Sequence, residues 1–276
     1  MKWKKWRSNM AHKNEGALVT TEREGHVLLI GLNRPDKYNA FTVEMYQQLA
    51  AAYTELQNDN DLRVGVLFGH GKHFCAGLQL TDWAEHFASG TFTGVIDEGQ
   101  IDPLGLHNED RLTKPMLMAI HGICYTIGIE IMLATDIRIA AADTRFGQIE
   151  VKRGIYPVGG ATVRWIQESG WSNAMRYLLT GDEFDGNEAR RIGLVQEVCE
   201  AEQVLDEAKR MAHNIADQAP LGVYASLMSA RIARTEGEQA AISRLMTDLK
   251  PIMQSDDAKE GVQSFVERRK AEFKGR

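Results

Sequence analysis

Apolar residues come in short runs in the first two thirds of the chain and at helical spacing in the last third. Residues 26–32, His-Val-Leu-Leu-Ile-Gly-Leu, form an apolar run closed by Asn33, Arg34 and Pro35, which predicts a buried strand leaving into a loop. Thr42 then stands as an N-cap with Glu44 in the first turn, and Met45, Leu49, Ala52, Tyr53 and Leu56 recur at helical spacing. Residues 63–69 predict a second buried strand running into the loop 70–77. Residues 81–112, with Trp83, His86, Phe87 and several glycines, read as a long irregular segment of the kind that carries function. Strands are expected again at 115–120 and 137–142, with a helix over 128–135 between them. A turn-rich loop, 154–160, feeds a helix over 161–168, and from residue 200 the pattern is helical with breaks near Pro220 and Pro251. Strand–helix alternation followed by a helical tail predicts an α/β core with an appendage. Three segments are expected: a disordered basic arm over 1–15, a core over 16–199 and a helical region over 200–276.

Composition narrows the function classes. With 276 residues the chain can bury a sizeable core, and 43% hydrophobic and 25% charged residues are ordinary for a globular protein. The net charge of −6 argues against a general nucleic-acid footprint, although Lys2, Lys4, Lys5 and Arg7 cluster in the arm. That arm has no apolar core of the kind a secretory signal needs, and no apolar run approaches membrane-spanning length. Cys75, Cys124 and Cys199 show neither metal-ligand spacing nor an even count, so a reducing, cytoplasmic setting is expected and no metal site.

Two acids stand where folding alone would not put them. Glu130 lies between Ile129 and Ile131 in an apolar run, and a carboxylate there must be paired, hydrogen-bonded or protonated. Just before it, Thr126, Ile127 and Gly128 read as a helix opening, whose free N–H groups favour negative charge. Glu150 follows a turn expected at Phe146 and Gly147, among Ile149 and Val151. From the residues alone, Glu130 also reads as a buried acid satisfied by backbone amides, and Glu150 as an exposed loop acid. Cys75 beside His73 reads as a packing cysteine rather than a nucleophile. Asp136 reads as a salt-bridge partner, His121 as a satisfied loop histidine, and Gly159 with Gly160 as a turn.

Several motifs occur in a telling order: Asn33-Arg34-Pro35 with Asn39-Ala40-Phe41, Phe74-Cys75-Ala76-Gly77, His121-Gly122 through Glu130 to Asp136, and Phe146 to Glu150. Gly154-Ile155-Tyr156-Pro157, Gly159-Gly160, Leu179-Thr180-Gly181 and Gly193-Leu194-Val195 follow. In this set the chain resembles the crotonase superfamily of enoyl-CoA hydratases and isomerases. The resemblance implies a spiral of repeated ββα units with a C-terminal helical trimerisation region, and a homotrimer or a hexamer of paired trimers. It implies an acyl-CoA substrate, CoA being part of the substrate rather than a cofactor, in fatty-acid and lipid metabolism. It implies reversible syn addition of water to a trans-2-enoyl thioester, with Glu130 activating the water and Glu150 delivering a proton to C2. The implied oxyanion-hole donors are the amides of Ala76 and Ile127. The branched side chain of Ile127 stands where the family usually has glycine, which would narrow the pocket. Arg34, Lys37 and Lys72 are candidate CoA contacts, with Gly77 and Leu78 beside them, and Trp83, Tyr125 and Tyr156 are candidate acyl-pocket residues. Competing readings are isomerisation or hydration of an unusual acyl-CoA on the same scaffold, and an RNA-binding or non-catalytic protein of this fold.

Overall fold

The computed structural model describes residues 16–90, 95–107 and 111–276. The expected arm over 1–15 lies outside them. Its main sheet runs β1 (Val19–Glu24), β2 (Val27–Leu32), β3 (Val64–Gly69), β4 (Met116–Ile120), β6 (Ile137–Ala141) and β8 (Glu197–Cys199) in that spatial order. β1 pairs antiparallel with β2, and every later pairing is parallel. Strands β2 and β3 are buried along their whole length, which is why they read as continuous apolar runs rather than alternating ones. β1 escaped the sequence reading because all of it after Val19 is Thr-Thr-Glu-Arg-Glu, polar as a sheet-edge strand is.

A second, smaller layer follows the first turn by turn. Each long strand bends into a short extended piece. Phe41 bridges Leu78, Cys75 bridges Cys124, and β5 (Ile123–Tyr125) pairs in parallel with β7 (Arg145–Gly147). The turn expected at Phe146 and Gly147 is thus a strand, because Cys124 and Gly122 supply the ladder partners that sequence does not display. Helices return the chain to the next turn. α1 (Val43–Asn58) is capped by Thr42, whose hydroxyl accepts the Met45 amide at 3.0 Å, and it buries Met45, Leu49, Tyr53 and Leu56. α2 (Leu80–Ser89) occupies the start of the segment expected to be irregular. Leu80, Trp83 and Phe87 carry a helical spacing there, and Gly90 closes it in the left-handed region at φ 70°.

α3 (Ile127–Ala134) connects β5 to β6, and α4 (Ala161–Ser169), α5 (Trp171–Thr180) and α6 (Gly186–Arg191) precede β8. The first helix of the tail, α7 (Val204–Ala216), does not stand apart. Val204, Ala208, Ala212 and Ala216 cover the outer face of the sheet over Val27, Leu29, Val64, Val66 and Leu117. The appendage is therefore α8 (Pro220–Thr235), α9 (Glu238–Met253) and α10 (Asp256–Glu267). Pro220 opens α8 at its first turn, and Pro251 sits in the last turn of α9. Asp136 ties this appendage to the core. Its carboxylate accepts the Met116 amide and pairs with Arg231 of α8, both at 2.9 Å, which is the salt-bridge role expected of it.

Candidate active site

Two loops meet where the oxyanion-hole donors were expected, and an account of their amides decides which are available. Buried backbone N–H groups nearly always have partners, so a free one at a site is informative. In the first loop the Phe74 amide donates to His121, Cys75 to Ile123, Ala76 to Tyr38 at 2.9 Å, and Gln79 to Phe41. Gly77 donates to the Cys75 sulfur at 3.3 Å. The Leu78 amide alone in this run has no partner among the described residues. Ala76, expected as a donor, is therefore engaged, because the chain at Tyr38 crosses over it. The free amide lies two residues on.

The second loop is simpler. Tyr125 donates to Cys75, Thr126 to Gly147, and Ile129 and Glu130 both to Thr126. The Ile127 amide, first in α3, has no partner among the described residues, as expected of a helix opening. The two loops touch at the residues just before the free amides. Gly77 has φ 105°, and a Cβ there would fall 2.5 Å from the Thr126 hydroxyl. Thr126 itself is held at φ 49°, ψ −115°, a conformation that costs a β-branched residue about 1–3 kcal/mol. The Ile127 side chain is buried in the main apolar cluster.

Glu130 lies on α3, three residues past that amide, and is only 3% exposed. Its Oε1 accepts two backbone amides from the turn before α4, Gly159 at 2.7 Å and Ala161 at 3.3 Å. The glycine is required there, since a Cβ on Gly159 would lie 2.6 Å from the other oxygen, Oε2. Burial, then the neighbouring Glu150 carboxylate, pushes the Glu130 pKa up to about 7 against the pull of those two amides.

Glu150 opens the 3-10 helix Glu150–Arg153 and is buried rather than an exposed loop acid. Its Oε1 accepts the Gln148 side-chain amide at 2.8 Å, and its Oε2 is buried with no hydrogen-bond partner. Burial pushes its pKa up to about 7 as well. The pair thus consists of two buried carboxyls near neutrality beside two unpaired N–H donors, an arrangement suited to moving protons while negative charge collects on a carbonyl oxygen.

The other candidates divide. Arg34 is committed inside its own loop, to the Ala40 carbonyl at 2.8 Å and to Gln79 at 2.5 Å, with Asn39 accepting its amide. Trp83 is fully buried, donates to the Phe41 carbonyl at 3.0 Å and packs on Tyr46, so it is core rather than pocket lining. The Tyr125 hydroxyl donates to Glu183, itself paired with Arg145 on the surface. Lys37, Lys72 and Tyr156 are exposed. Burial pushes the Cys75 thiol up to about 12, and His73 accepts the Ile123 amide instead of facing that thiol. His121 bonds the Gly71 carbonyl at 3.0 Å, the satisfied loop histidine expected. Gln148 and the Gly159 and Ala161 amides, which bond the two carboxyls, are groups that sequence reasoning missed. The only hint was the Gly-Gly pair, which reads equally as a turn.

The Enoyl-CoA hydratase/isomerase family profile matches residues 22–276. The chain is 35% identical to enoyl-CoA hydratase EchA19 of Mycobacterium tuberculosis, over 97% of this chain and all of that protein. It is also 35% identical to a mevalonyl-coenzyme A hydratase of Beauveria bassiana, over 90% of this chain and 91% of the other. Among solved structures it superimposes on a probable enoyl-CoA hydratase/isomerase from Mycobacterium abscessus with a TM-score of 0.90 at 47% identity, covering 94% and 99% of the two chains. Turn-by-turn strand pairing, buried acids on α3 and after β7, and a match along nearly the whole chain lead to one conclusion: the protein belongs to the enoyl-CoA hydratase/isomerase family.

Proposed function

We propose that the protein is an enoyl-CoA hydratase, a lyase that reversibly adds water to a trans-2-enoyl-CoA with Glu130 and Glu150 as its proton-transfer groups. The observation that carries this reading is the pair itself: two buried carboxyls, both near 7, one gripped by two amides and the other with a bare oxygen. The thioester carbonyl accepts the free amides of Leu78 and Ile127. As water adds at C3, negative charge builds on that oxygen, and each donor lowers the barrier by roughly 3–4 kcal/mol. Glu130, whose charged form the Gly159 and Ala161 amides favour, takes the proton from the water. Glu150, whose Oε2 has no donor and so holds a proton readily, delivers it to C2.

The reaction needs no cofactor, since the thioester supplies the activation. Lys37 and Lys72, both exposed, serve as point charges for the CoA phosphates. The assembly is a trimer or a pair of trimers. Ile242, Leu245, Met246 and Met253 of α9 and Val262 and Phe265 of α10 are exposed, Phe265 by 84%, an apolar area that a monomer rarely leaves in water. Three free cysteines suit a reducing cytoplasm, and no helix among the described residues is long and apolar enough to cross a membrane.

The test is the loss of conjugated-thioester absorbance with crotonyl-CoA, with the product weighed. Rapid loss with gain of one water is expected. Confirmed binding with a shifted double bond and no added water would instead make the protein an isomerase.

A further inference from the structure

A cavity of about 140 Å³ opens between residues 111–113 and helices α8 and α9, away from the two carboxylates. That is roughly ten times the 10–15 Å³ that admits one water. Arg111, Arg231 and Arg244 line it with Thr113 and Thr235, and Glu236 is the single acid among the described residues that line it.

The hydrogen bonds show which of these groups are spare. Thr113 is bonded to Gln57, and the Thr235 hydroxyl donates to the Arg231 carbonyl at 2.9 Å. Arg231 pairs with Asp136 and the Leu112 carbonyl, but its Nε is buried with no partner. Arg244 holds Asp248 at 3.3 Å with its side chain half exposed. Arg111 has no hydrogen bond or ion pair among the described residues. Its stem packs on Gly105, where a Cβ would fall 3.1 Å from Arg111 Cγ. Burial first, then the like charges of Arg231 and Arg164, hold the Arg111 pKa down at about 10. The nearby Arg164 and Arg234 are already committed, to the Leu104 and Gly105 carbonyls and to Glu168.

A half-buried guanidinium with no partner, beside other guanidinia, is unfavourable unless something outside the chain compensates it. A group with several anionic oxygens does so best, because guanidinium forks bind it in two-point fashion. We propose that this cavity is a phosphoryl-binding site, with Arg111 as the principal donor and Arg231 and Arg244 flanking it. Its volume admits inorganic phosphate or the phosphate end of a small metabolite, not a nucleotide. The site is one segment removed from the carboxylates. Leu104 and Leu106, either side of Gly105, would each meet a Cβ on Gly159 or Gly160 at 3.1 Å.

The test titrates the full-length protein with inorganic phosphate and with glycerol phosphate, at ionic strength fixed by chloride, following thermal midpoint and ³¹P linewidth. A saturable rise in midpoint is expected that chloride and acetate do not produce. Half-saturation should weaken at least tenfold in Arg111→Gln and about threefold in Arg244→Gln, whose exposed side chain leaves folding untouched. Glu130→Gln should bind as the wild type does. Tighter binding of glycerol phosphate identifies a phosphorylated metabolite, and tighter binding of phosphate identifies the free ion. Equal effects in wild type and both arginine variants overturn the proposal. So does an acetate response equal to that of phosphate, or phosphate inhibition competitive with crotonyl-CoA, which would put the ion on the CoA contacts.

Discussion

The two walls of the active site hold the same functional group, raised by burial to the same pKa, among different hydrogen-bond partners. On one wall Glu130 sits on α3 and is gripped by two backbone amides, at 2.7 and 3.3 Å, that favour its charged form. On the other Glu150 sits on a single 3-10 turn with one side-chain donor, Gln148, and a bare buried Oε2. Burial raises both to about 7. What differs is which protonation state the surroundings accept. Fixed amide dipoles pointing at Glu130 suit a base, and an oxygen without a donor suits an acid. Acid and base roles can thus be separated by hydrogen-bond partners even where the pKa values coincide.

The largest effects should come from removing either charge. Glu130→Gln and Glu150→Gln should each lower kcat by about 10²–10⁴-fold while leaving acyl-CoA binding within a few-fold, read from steady-state kinetics and a separate binding titration. Near-wild-type turnover in either variant removes that residue from the chemistry. Gly159→Ala attacks one wall alone. Its Cβ would fall 2.6 Å from Glu130 Oε2, so the grip must open. We expect kcat to fall on the order of 10²-fold and the Glu130 titration to move up in pH. A titration that stays put would show that the amides do not set the charge of Glu130.

Stability should report the same burial. Both carboxyls titrate near 7 when folded and near 4.5 when unfolded, so the folded state binds more protons between those values. Stability therefore falls as pH rises from about 4.5 to 7 and levels off above. Glu130→Gln lacks this penalty. It should be more stable than wild type at pH 8 by an amount on the order of 3 kcal/mol, and no more stable at pH 4, by denaturant midpoints. A wild-type advantage at pH 8 would mean that Glu130 is better compensated than its partners suggest. Gln148→Leu sharpens the other wall with a smaller effect. Loss of the Gln148 side-chain donor to Glu150 should raise the Glu150 pKa, move the alkaline limb of kcat/KM upward and lower kcat roughly tenfold. For the wild type, the two limbs should form a narrow bell near pH 7 whose apparent values belong to the pair.

How much of this was legible in the sequence follows from what each feature depends on. β2, β3 and β4 were readable because burial on both faces makes them apolar throughout, and β6 because it is apolar but for Arg138. α1 was readable from Thr42 and the spacing of Met45, Leu49 and Leu56. Glu130 and Glu150 stood out because acids in apolar surroundings need a reason. The oxyanion donors did not. A backbone amide leaves no mark on residue identity, and only the partner of each N–H shows that Ala76 is engaged and Leu78 is free. Arg34, Trp83 and Tyr125 carry functional-looking side chains whose partners, Gln79, Phe41 and Glu183, lie far along the chain. The arginine cavity was invisible for the same reason, since Arg111 and Arg244 are brought together only by the packing of α8 and α9.

The most direct test of the account is the stereochemistry of hydration in deuterium oxide. Glu130 and Glu150 are held to work on one water at one face of the double bond. The 3-hydroxyacyl product of crotonyl-CoA, examined by proton NMR, should carry a single deuterium at C2 on the same side as the new C3 hydroxyl. Anti addition, or deuterium on both faces of C2 at early conversion, would contradict it, since the water and the C2 proton would then not come from one pair of carboxyls.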